Sequence, residues 1–453
     1  MLWRKTALLN LLKQLVTDKN ILVLGYGREG RSTLRRLLQT GTCASLTIAD
    51  QSDISPEDPS VRVLSGPAYM DSLDDYDLVF KSPGIVLPRD PSEYRCRFTS
   101  QMEIFMTACR EQVIGITGTK GKSTVTTLLY HILKKNGRDA VLAGNIGIPA
   151  FDILEKVNAE TKIICELSCH QLEYIHVSPH IAVLLNIHEE HLDHYGTMEK
   201  YIHSKQQIYL HQKPEDLLIC HLDSLPAVDV CQSRIYTVSD HLSTADIVLN
   251  GTRVRFHERD FQIPSDEIHL LGHHNHMDIA FDYALCHILG LSDTEIETAL
   301  KSYEPLPHRL RYIGEHNHIR YYDDSISTIG DTTIQALKSV PNVGSVLIGG
   351  MDRGIEYDDL ITWLSDHPVP HIILMSDTGK RIYREIQQRY PDFSSPERLV
   401  LVNTLEDAVA AAKTLTAPGA ACVLSPAAAS YGFFKNFEER GDVFSKLALE
   451  QEP

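Results

Sequence analysis

The stretch VIGITGTKGKSTVTTLLYHIL, residues 113–133, decides the fold of the chain around it. It opens with a short apolar run that suits a strand buried on both faces, and this strand is expected to end at Thr117. A glycine-rich turn follows, and the helical pattern begins at Ser123 or Thr124. A buried strand that leads through a tight turn into a helix is typical of parallel α/β sheets.

The turn between this strand and this helix combines four features that suit a nucleoside triphosphate. Gly118 and Gly121 allow the backbone to point its N–H groups inward, and the helix N-terminus adds positive potential. Lys122 supplies a cation, and the hydroxyl of Ser123 can bind Mg²⁺. The alternative, a glycine turn before an ordinary helix, gives no reason for a lysine and two hydroxyls to cluster here. Phosphate binding is therefore the predicted role of the turn.

Short runs rich in Val, Ile and Leu alternate with helix-length segments along the chain. Such continuous runs indicate parallel sheets covered by helices, so the predicted fold class is α/β throughout. The other runs are ILVLG (21–25), SLTIAD (45–50), DLVFKSPG (77–84), KIICELS (162–168), IAVLLNI (181–187), DLLICHL (216–222), SVLIGG (345–350), HIILMSD (371–377) and ACVLSPA (421–427). Since 453 residues exceed the usual size of a single core, three domains are expected, with bounds 1–108, 109–304 and 305–453.

Composition limits the classes of partner. The net charge of -17 argues against generic binding to nucleic acid, whose phosphates are attracted to basic surfaces. Nine scattered cysteines without a CxxC pair are typical of reduced thiols in a cytosolic protein. The first 16 residues suit a short amphipathic helix better than a signal peptide, and no apolar run approaches the ~20 residues that span a bilayer. We therefore expect a cytoplasmic protein.

A second glycine-rich loop lies near the start of the chain, in ILVLGYGREGRSTLRRLLQTG (21–41). Gly25, Gly27 and Gly30 stand between a strand and a helix, and Asp50 closes the next strand. This arrangement is a dinucleotide-binding fingerprint, which alone favours an NAD enzyme. A helix N-terminus does not distinguish one diphosphate from another, however, and a simple dehydrogenase has no obvious use for a second nucleotide loop.

Two further segments carry candidate metal ligands. CELSCHQLE (165–173) places Glu166 at the end of a buried strand, and NIHEEHLDH (186–194) places His191 just beyond another. Because ligands gather at the carboxyl ends of strands in open α/β sheets, both could converge on the phosphate loop. Taken alone, Glu166 is more typical of a capped surface carboxylate, and a histidine cluster is more typical of a solvated turn. The histidine spacing lacks the HExxH pattern of zinc proteases, so oxygen ligands around Mg²⁺ are the better interpretation.

The segment TGTKGKST (117–124) resembles the phosphate loop of the Mur ligase and folylpolyglutamate synthetase superfamily, whose members use ATP to activate a carboxylate. The spacing agrees with this resemblance, because five residues rather than the usual four separate Gly115 from Gly121. The resemblance covers nearly the whole chain, from about residue 20 to 448. It implies a Rossmann-like N-terminal domain that binds a UDP-linked substrate, a central ATP-binding domain and a Rossmann-like C-terminal domain that binds an amino acid.

The resemblance also assigns the central chemistry. The implied ATP-binding residues of the loop are Gly118, Thr119, Lys120, Gly121, Lys122, Ser123 and Thr124. The implied catalytic residues are Lys122, Glu166, His191 and Lys205. Ser123, Glu166, His191 and Lys205 are the implied metal ligands, with Lys205 converted by CO₂ to a carbamate. Two Mg²⁺ ions are implied, and a carbamate anion can lie near them whereas an ammonium would repel them.

Substrate sites follow from the same resemblance. The UDP-substrate set is Gly27, Arg28, Glu29, Asp50, Gln51, Ser82, Gly84 and Asn145. GHHNHMDIA (272–280), PLPHRLRYI (305–313) and YYDDSISTIGDTT (321–333) add Asn275, Arg309 and Asp324 to the ATP set. GGMDRG (349–354) and LSPAAASYGFFKNFEERG (424–441) match the D-glutamate-adding members, with the acceptor set Thr328, Arg353, Ser430, Tyr431 and Phe437.

Two positions depart from the pattern of those members. Ile326 stands where some carry a lysine, and Arg353 stands where others have lysine. The chain therefore lacks, at Ile326, one cation expected near the phosphate or the acceptor, and the implied reaction is unchanged.

The expected activity is an ATP-dependent amide ligase that adds D-glutamate to UDP-N-acetylmuramoyl-L-alanine through an acyl phosphate, in the synthesis of peptidoglycan precursors. Two alternatives stay open. One is a ligase of the same superfamily with a different acceptor, and the other is a non-catalytic nucleotide sensor. The expected partners are small molecules, with neither nucleic acid nor membrane, and the protein is expected to be a monomer.

Overall fold

The computed structural model describes residues 2–56, 58–146, 148–227, 229–390 and 395–450. The chain divides into two compact units, of which the first comprises Met1–Ile263 and Met277–Leu300, and the second Pro264–His276 and Lys301–Pro453. Each unit is described by itself. The division into three domains stays a prediction.

The first unit begins with a sheet of five parallel strands in the order β3-β2-β1-β4-β5. Its strands are β1 (Asn20–Leu24), β2 (Ser45–Asp50), β3 (Arg62–Ser65), β4 (Leu78–Lys81) and β5 (Arg97–Thr99), and its helices are α1 (Leu2–Val16), α2 (Arg28–Thr40) and α3 (Gln101–Cys109). The chain runs outward from β1 first to one side and then to the other. Such a switch point leaves a crevice at the carboxyl ends of the two central strands, where ligands bind in open α/β sheets.

The same unit contains a sheet of nine strands in the order β14-β13-β12-β11-β10-β9-β6-β8-β7. Its strands are β6 (Val113–Thr117), β7 (Ala140–Gly144), β8 (Lys162–Glu166), β9 (Ile181–Leu184), β10 (Leu217–His221), β11 (Arg234–Ser239), β12 (Ile247–Asn250), β13 (Arg253–Phe256) and β14 (Arg259–Gln262). The helices are α4 (Lys122–Lys135), α5 (Cys169–Leu172), α6 (Leu192–Tyr195), α7 (Met198–Leu210), α8 (His273–Ile288) and α9 (Asp293–Leu300). The first four residues of α8 belong to the second unit. The seven strands from β12 to β7 in this order, including β6, pair in parallel. At the other end of the sheet, β12 pairs antiparallel with β13, and β13 pairs antiparallel with β14.

One apolar core joins these two sheets of the first unit. Leu8 and Phe105, from the elements around the first sheet, lie in the same buried cluster as Phe151 and Ile163 from the central segment. The guanidinium of Arg36 donates to the carbonyl oxygen of Phe151 from Nη2 over 2.9 Å. Each large apolar side chain buried in this way contributes about 1.5–3 kcal/mol. The first unit is therefore continuous across the boundary expected near residue 108.

The second unit is built on a sheet of six strands in the order β15-β16-β20-β17-β18-β19. Its strands are β15 (Arg311–His316), β16 (Ile319–Asp323), β17 (Val343–Gly349), β18 (His371–Met375), β19 (Leu399–Val402) and β20 (Ala421–Leu424), and its helices are α10 (Gly330–Ser339), α11 (Asp358–Asp366), α12 (Ser376–Arg389), α13 (Leu405–Leu415) and α14 (Phe437–Leu449). Only β15 is antiparallel to its neighbour. The alternation of strands with helices places the loops after β16, β17 and β20 at one edge.

The predicted α/β class is confirmed by these three sheets. The N-terminal segment forms helix α1, as expected, and the nine cysteines form no disulfide bond in the described part of the chain. Among the described residues, none of the helices combines the length and the apolar character that crossing a membrane requires.

Candidate active site

The glycine-rich turn connects β6 to α4 and lies at the carboxyl edge of the nine-stranded sheet. Gly118 and Gly121 adopt φ angles of 157° and 84°, which favour glycine. A Cβ atom on Gly121 would clash with Oδ1 of Asp278. The helix begins at Lys122, one residue earlier than the earliest start expected, because the left-handed Gly121 is its N-cap.

All seven predicted phosphate-loop residues belong to this turn or to the first turn of α4, namely Gly118, Thr119, Lys120, Gly121, Lys122, Ser123 and Thr124. The hydroxyl-bearing Ser123 is 6% exposed. The backbone N–H groups at the start of α4 have no intrahelical acceptor, which makes the turn suitable for phosphate.

Asn186, which follows β9 and was not among the predicted residues, holds the turn in place. Asn186 accepts a hydrogen bond at Oδ1 from the backbone N–H of Lys120 over 2.8 Å, and its Nδ2 donates to the Lys120 carbonyl oxygen over 3.1 Å. The carbonyl oxygen of Asn186 accepts from the N–H of Thr119 over 2.8 Å. The Thr119 hydroxyl lies 2.9 Å from the phenol oxygen of Tyr201 in α7. Asn186 comes directly after the apolar run IAVLL (181–185), so its position at the carboxyl end of a strand could be read from the sequence.

Two lysine side chains meet at the carbonyl oxygen of Gly118. Lys122 Nζ donates to this oxygen over 2.9 Å and to the carbonyl oxygen of Thr119 over 2.7 Å. Lys205 Nζ donates to the Gly118 oxygen over 2.7 Å. Burial, followed by the positive charge of Lys122, lowers the pKa of Lys205 to about 7. The turn thus holds one ammonium beside an amine that loses its proton readily.

Glu166 ends β8 and is 1% exposed. Its Oε1 accepts a hydrogen bond from Nδ2 of Asn145 over 2.7 Å, whereas its Oε2 is buried without a hydrogen-bond partner. A buried carboxylate oxygen without a donor is costly unless a cation lies beside it. The orphaned oxygen fits a hard divalent cation, and Asn145 orients the carboxylate through its other oxygen.

His191 caps the short helix α6 in a left-handed conformation with φ 57°. Its side chain is 43% exposed, and Nε2 lies 3.9 Å from Oε2 of Glu190. Glu190 accepts a hydrogen bond at Oε1 from Nζ of Lys120 over 2.8 Å. The His191 ring also lies 6.2 Å from the ring of Tyr201, which contacts the phosphate loop. The structure therefore brings His191 to the same edge of the sheet as the turn.

Hydrogen bonds with Ser82 and Asp50 hold the first glycine loop in place. Gly25 has φ 92°, and its carbonyl oxygen accepts from the hydroxyl of Ser82 over 3.1 Å. Asp50 accepts at Oδ2 from the N–H of Tyr26 over 2.7 Å and at Oδ1 from the N–H of Ser52 over 2.9 Å. Asp50 therefore positions the loop through its backbone, and its predicted contact with the nucleotide stays a prediction.

The rest of the predicted UDP set lies around the start of α2 and the ends of β2 and β4. Gly27 is the N-cap of α2, and Arg28, Gln51 and Gly84 are exposed. Glu29 is half-buried, and burial raises its pKa to about 7, with Gln171 and Lys81 nearby. Asn145 follows β7 and donates to Glu166.

The other predicted ATP residues belong to the second unit. Asn275 donates from Nδ2 to the carbonyl oxygen of Leu271 over 2.6 Å, and Arg309 is half-buried. Asp324 is 5% exposed and accepts three hydrogen bonds, from the N–H of Leu310 and the hydroxyls of Ser327 and Ser425. Burial raises the pKa of this carboxyl to about 7. Asp324 thus holds the loop after β16 together.

The predicted acceptor residues lie at one edge of the second unit's sheet. Arg353 donates from Nη2 to the carbonyl oxygen of Thr328 over 3.2 Å, so these two predicted residues meet. Ser430 is 5% exposed and lines a cavity of 240 Å³ with Gly350, Phe434 and others. Of the remaining two, Tyr431 is 61% exposed and Phe437 begins α14.

Comparison with known proteins gives a consistent answer. The Mur ligase middle domain matches residues 116–283. The chain is 33% identical over 444 residues to the UDP-N-acetylmuramoylalanine–D-glutamate ligase of Geobacillus kaustophilus strain HTA426, covering 94% of this chain and 96% of that one. It is 31% identical to the ligase of the same name from Symbiobacterium thermophilum, over 94% and 96% of the two chains. These relatives are ligases, not oxidoreductases.

Solved structures agree on the fold. The crystal structure of MurF ligase from Thermotoga maritima in complex with ADP has a TM-score of 0.58 and 16% identity, with 96% of each chain covered. The structure of UDP-N-acetylmuramate–alanine ligase MurC from the same organism has a TM-score of 0.58 and 17% identity, over 95% of this chain and 99% of that one. With the phosphate loop, the orphaned carboxylate oxygen and relatives of 30% identity or more along nearly the whole sequence, the chain belongs to the Mur ligases, in the family of UDP-N-acetylmuramoylalanine–D-glutamate ligases.

Proposed function

We propose that the protein joins D-glutamate to UDP-N-acetylmuramoyl-L-alanine in an ATP-dependent reaction that forms an amide bond and releases ADP and phosphate. The observation that carries this proposal is the identity of 30–33% over 94–96% of the chain with ligases of that name. The reaction belongs to the synthesis of peptidoglycan precursors.

The chemistry has two steps. A carboxylate is a poor electrophile, so an oxygen of the alanyl carboxylate attacks the γ-phosphorus of ATP, and the bond from that phosphorus to the bridging oxygen of ADP breaks. The resulting acyl phosphate has a good leaving group. The amine of D-glutamate then attacks the acyl carbon, phosphate leaves, and the new amide nitrogen loses its extra proton.

Residues of the phosphate loop serve the first step. The N–H groups at the start of α4 and the ammonium of Lys122 balance the charge of the phosphate oxygens as the phosphorus is transferred. Asn186 fixes Lys120 through two hydrogen bonds, so the turn is shaped before the nucleotide arrives. Positioning of this kind carries much of the rate in phosphoryl transfer.

Ser123, Glu166, His191 and Lys205 would hold magnesium, with two ions expected. The Oε2 atom of Glu166 fits this role because it is buried without a hydrogen-bond partner. When bound, Mg²⁺ neutralises phosphate charge and orients the phosphate oxygens.

Lys205 carries a carbamate in this proposal. The ammonium first loses one proton to give the amine, whose nitrogen attacks the carbon of CO₂. An N–C bond forms as one C=O π bond breaks, and the nitrogen releases a second proton, so a cation becomes an anion. The hydrogen bond to the Gly118 oxygen is compatible with this change, because a carbamate nitrogen retains one N–H donor. The lowered pKa of Lys205, about 7, supports the same assignment.

The acceptor set lies in the second unit. Arg353 and Thr328 are adjacent, and a guanidinium binds a carboxylate through a charge-assisted pair of hydrogen bonds. Ser430, Tyr431 and Phe437 complete the proposed site for D-glutamate. Asn275, Arg309 and Asp324 contribute to ATP binding, and the first glycine loop contributes to binding of the UDP diphosphate. We further propose a cytoplasmic monomer whose partners are small molecules only.

The test is an acceptor panel. The full chain is supplied with ATP, Mg²⁺ and UDP-N-acetylmuramoyl-L-alanine, and phosphate release is measured with D-glutamate, L-glutamate, L-lysine, meso-diaminopimelate or no amino acid. Release that depends on D-glutamate supports the proposal. Release that depends on another acceptor favours a sister ligase, and tight ATP binding without any release favours a nucleotide sensor. Lys122→Ala is the matched inactive control.

A further inference from the structure

Three side chains beside the phosphate-binding edge form a compact group that the proposed reaction does not use. His170 and Glu173 follow β8, and His194 follows β9. One ligand atom from each of the three lies within 4.8 Å of the others. The Nε2 atom of His194 is 3.4 Å from Oε2 of Glu173, and the rings of His170 and His194 have centroids 4.3 Å apart.

The hydrogen bonds that the two histidines of this group make with Tyr195 and Glu173 are long. His170 Nδ1 lies 3.3 Å from the phenol oxygen of Tyr195, and the contact between His194 and Glu173 is 3.4 Å. Both distances exceed the usual range for hydrogen bonds of these types, about 2.5–3.2 Å. Two imidazoles and a carboxylate are therefore close together without short mutual bonds.

We propose that His170, Glu173 and His194 bind a divalent transition-metal ion of borderline softness, for which Zn²⁺ is the probe. Two imidazole nitrogens and one carboxylate oxygen are a known three-ligand set for Zn²⁺, and water completes the tetrahedron. Nitrogen-rich donors select such an ion over Mg²⁺, which prefers oxygen. The site is thus distinct in chemistry from the magnesium site around Glu166.

A second possible ligand set shares one of these residues. Cys169, His170 and His191 also place their ligand atoms within 4.8 Å of one another. The set with Glu173 is favoured for two reasons. The side chains of Glu173 and His194 are only 16% and 11% exposed, whereas the side chain of His191 is 43% exposed. In addition, His191 is already assigned to the proposed magnesium site. Burial shields a metal site from competing water and fixes its ligands.

The bound ion would restrain the catalytic loops. His170 and Glu173 follow Glu166 in the segment after β8, and His194 lies three residues beyond His191 after β9. A metal bridge between the two segments fixes the separation of these two loops. Lys81 opposes binding, since its Nζ lies 3.8 Å from Oε2 of Glu173 and competes for that carboxylate.

The first experiment measures Zn²⁺ binding by calorimetry. The full chain is stripped of metal with a chelator and titrated with zinc chloride in a buffer with excess Mg²⁺. We expect one equivalent to bind and the affinity to fall by about tenfold or more in His170→Phe, Glu173→Gln and His194→Gln. The matched control is His318→Gln, whose histidine side chain is 83% exposed and lies in the second unit. The affinity of the control stays unchanged.

Two further variants distinguish this ligand set from the neighbouring set that contains Cys169. Lys81→Met is expected to tighten Zn²⁺ binding, since it removes the competing ammonium, and Cys169→Ser is expected to leave the affinity within about threefold. A tenfold loss in Cys169→Ser, with binding retained in Glu173→Gln, assigns the ion to the other set and overturns the proposal. The proposal is also overturned if Glu173→Gln and His194→Gln bind Zn²⁺ with the same affinity as the wild type. Glu173→Gln preserves side-chain shape, and circular dichroism of the metal-free variants verifies folding.

Discussion

Lys205 and Gly118 are joined by a hydrogen bond of 2.7 Å from the lysine Nζ to the glycine carbonyl oxygen. The bond connects helix α7 to the phosphate loop across 87 residues of sequence. Lys122 donates to the same oxygen, so two nitrogen groups that could both be charged share one acceptor. The carbamate proposed for Lys205 would remove this like-charge conflict.

The carbamate proposed for Lys205 has a direct test. Incubation of the protein with ¹³C-labelled bicarbonate is expected to give one carbonyl resonance in the carbamate region, and Lys205→Arg is expected to lose both this resonance and turnover, because a guanidinium keeps its charge. The measurement is ¹³C NMR paired with phosphate release. Lys162→Arg is the control, since that lysine lies at the start of β8. An unchanged resonance in Lys205→Arg contradicts the assignment.

Removing the charge of Glu166 should impair metal binding more than removing its neighbour does. In Glu166→Gln, turnover is expected to fall by about 100-fold or more and the Mg²⁺ concentration required to rise, because the orphaned Oε2 loses its charge. Asn145→Ala leaves the carboxylate in place without its orienting donor, and we expect a loss of about tenfold. The rate is measured against Mg²⁺ concentration. A larger defect in Asn145→Ala than in Glu166→Gln would be inconsistent with these roles.

Asn186 is expected to govern ATP affinity. Asn186→Ala removes two side-chain hydrogen bonds that shape the loop at Lys120, each with a net contribution of about 0.5–1.5 kcal/mol. The KM for ATP should therefore rise by about tenfold, while the KM for D-glutamate stays unchanged. Asn158→Ala is the control, because Asn158 donates to Asp139 in a separate loop of the same unit. Steady-state kinetics with each substrate varied in turn gives the two KM values for the variant and for the control. An unchanged KM for ATP in Asn186→Ala would contradict the prediction.

Arg353 should affect the acceptor alone. Loss of a charged hydrogen-bond pair in Arg353→Ala costs about 1.5–3 kcal/mol, so we expect the KM for D-glutamate to rise by about 10- to 150-fold. The exposed Arg384 provides the control variant Arg384→Ala. A comparable rise in the KM for ATP would show that the effect is not confined to the acceptor. The comparison also addresses the departure at this position, since Arg353→Lys restores the residue that other members carry.

The second unit contains a pH-sensitive pair. His308 Nδ1 lies 2.6 Å from Oδ2 of Asp323, and this hydrogen bond raises the pKa of His308 above its usual value of about 6.5. The stabilisation is fully present below pH ~6.5 and is lost as the pH rises through the raised pKa of the folded state. His308→Asn keeps a donor and tolerates the left-handed φ of 64°, but it cannot be protonated. We expect chemical denaturation to show lower stability of the variant at pH 6 and a smaller difference at pH 8.5.

The phosphate loop was predictable because its determinants are contiguous. Glycines that must adopt positive φ angles, a lysine and a hydroxyl lie within a few residues, so their chemistry is visible in the sequence alone. Asn186 and Tyr201 were not identified, because they reach Lys120 and Thr119 across 66 and 82 residues. Only the order of strands in the sheet brings them together. Roles in substrate binding stay predictions for the same reason.

The sheets show a similar contrast. Continuous apolar runs predicted ten of the parallel strands. The parallel strands β3, β5, β7, β11, β16 and β19 and the strands β12 to β15, which include all the antiparallel pairings, were not among the predicted runs. Strand β13, RVRF, alternates exposed and buried residues, which is typical of a strand with one solvated face. The shared core of the first unit could not be predicted from the sequence either. An apolar pattern indicates which residues are buried, but it does not indicate which other segment of the chain they pack against.

That shared core has a consequence for the evolution of substrate choice. Since Leu8 and Phe105 pack in the same cluster as Phe151 and Ile163, the segment that holds the first glycine loop is not an interchangeable cassette. Transplanting it from a sister enzyme would require matching residues at positions 151 and 163 as well. New specificity for the UDP-linked substrate can therefore arise more readily by point changes in the exposed loops than by recombination near residue 108.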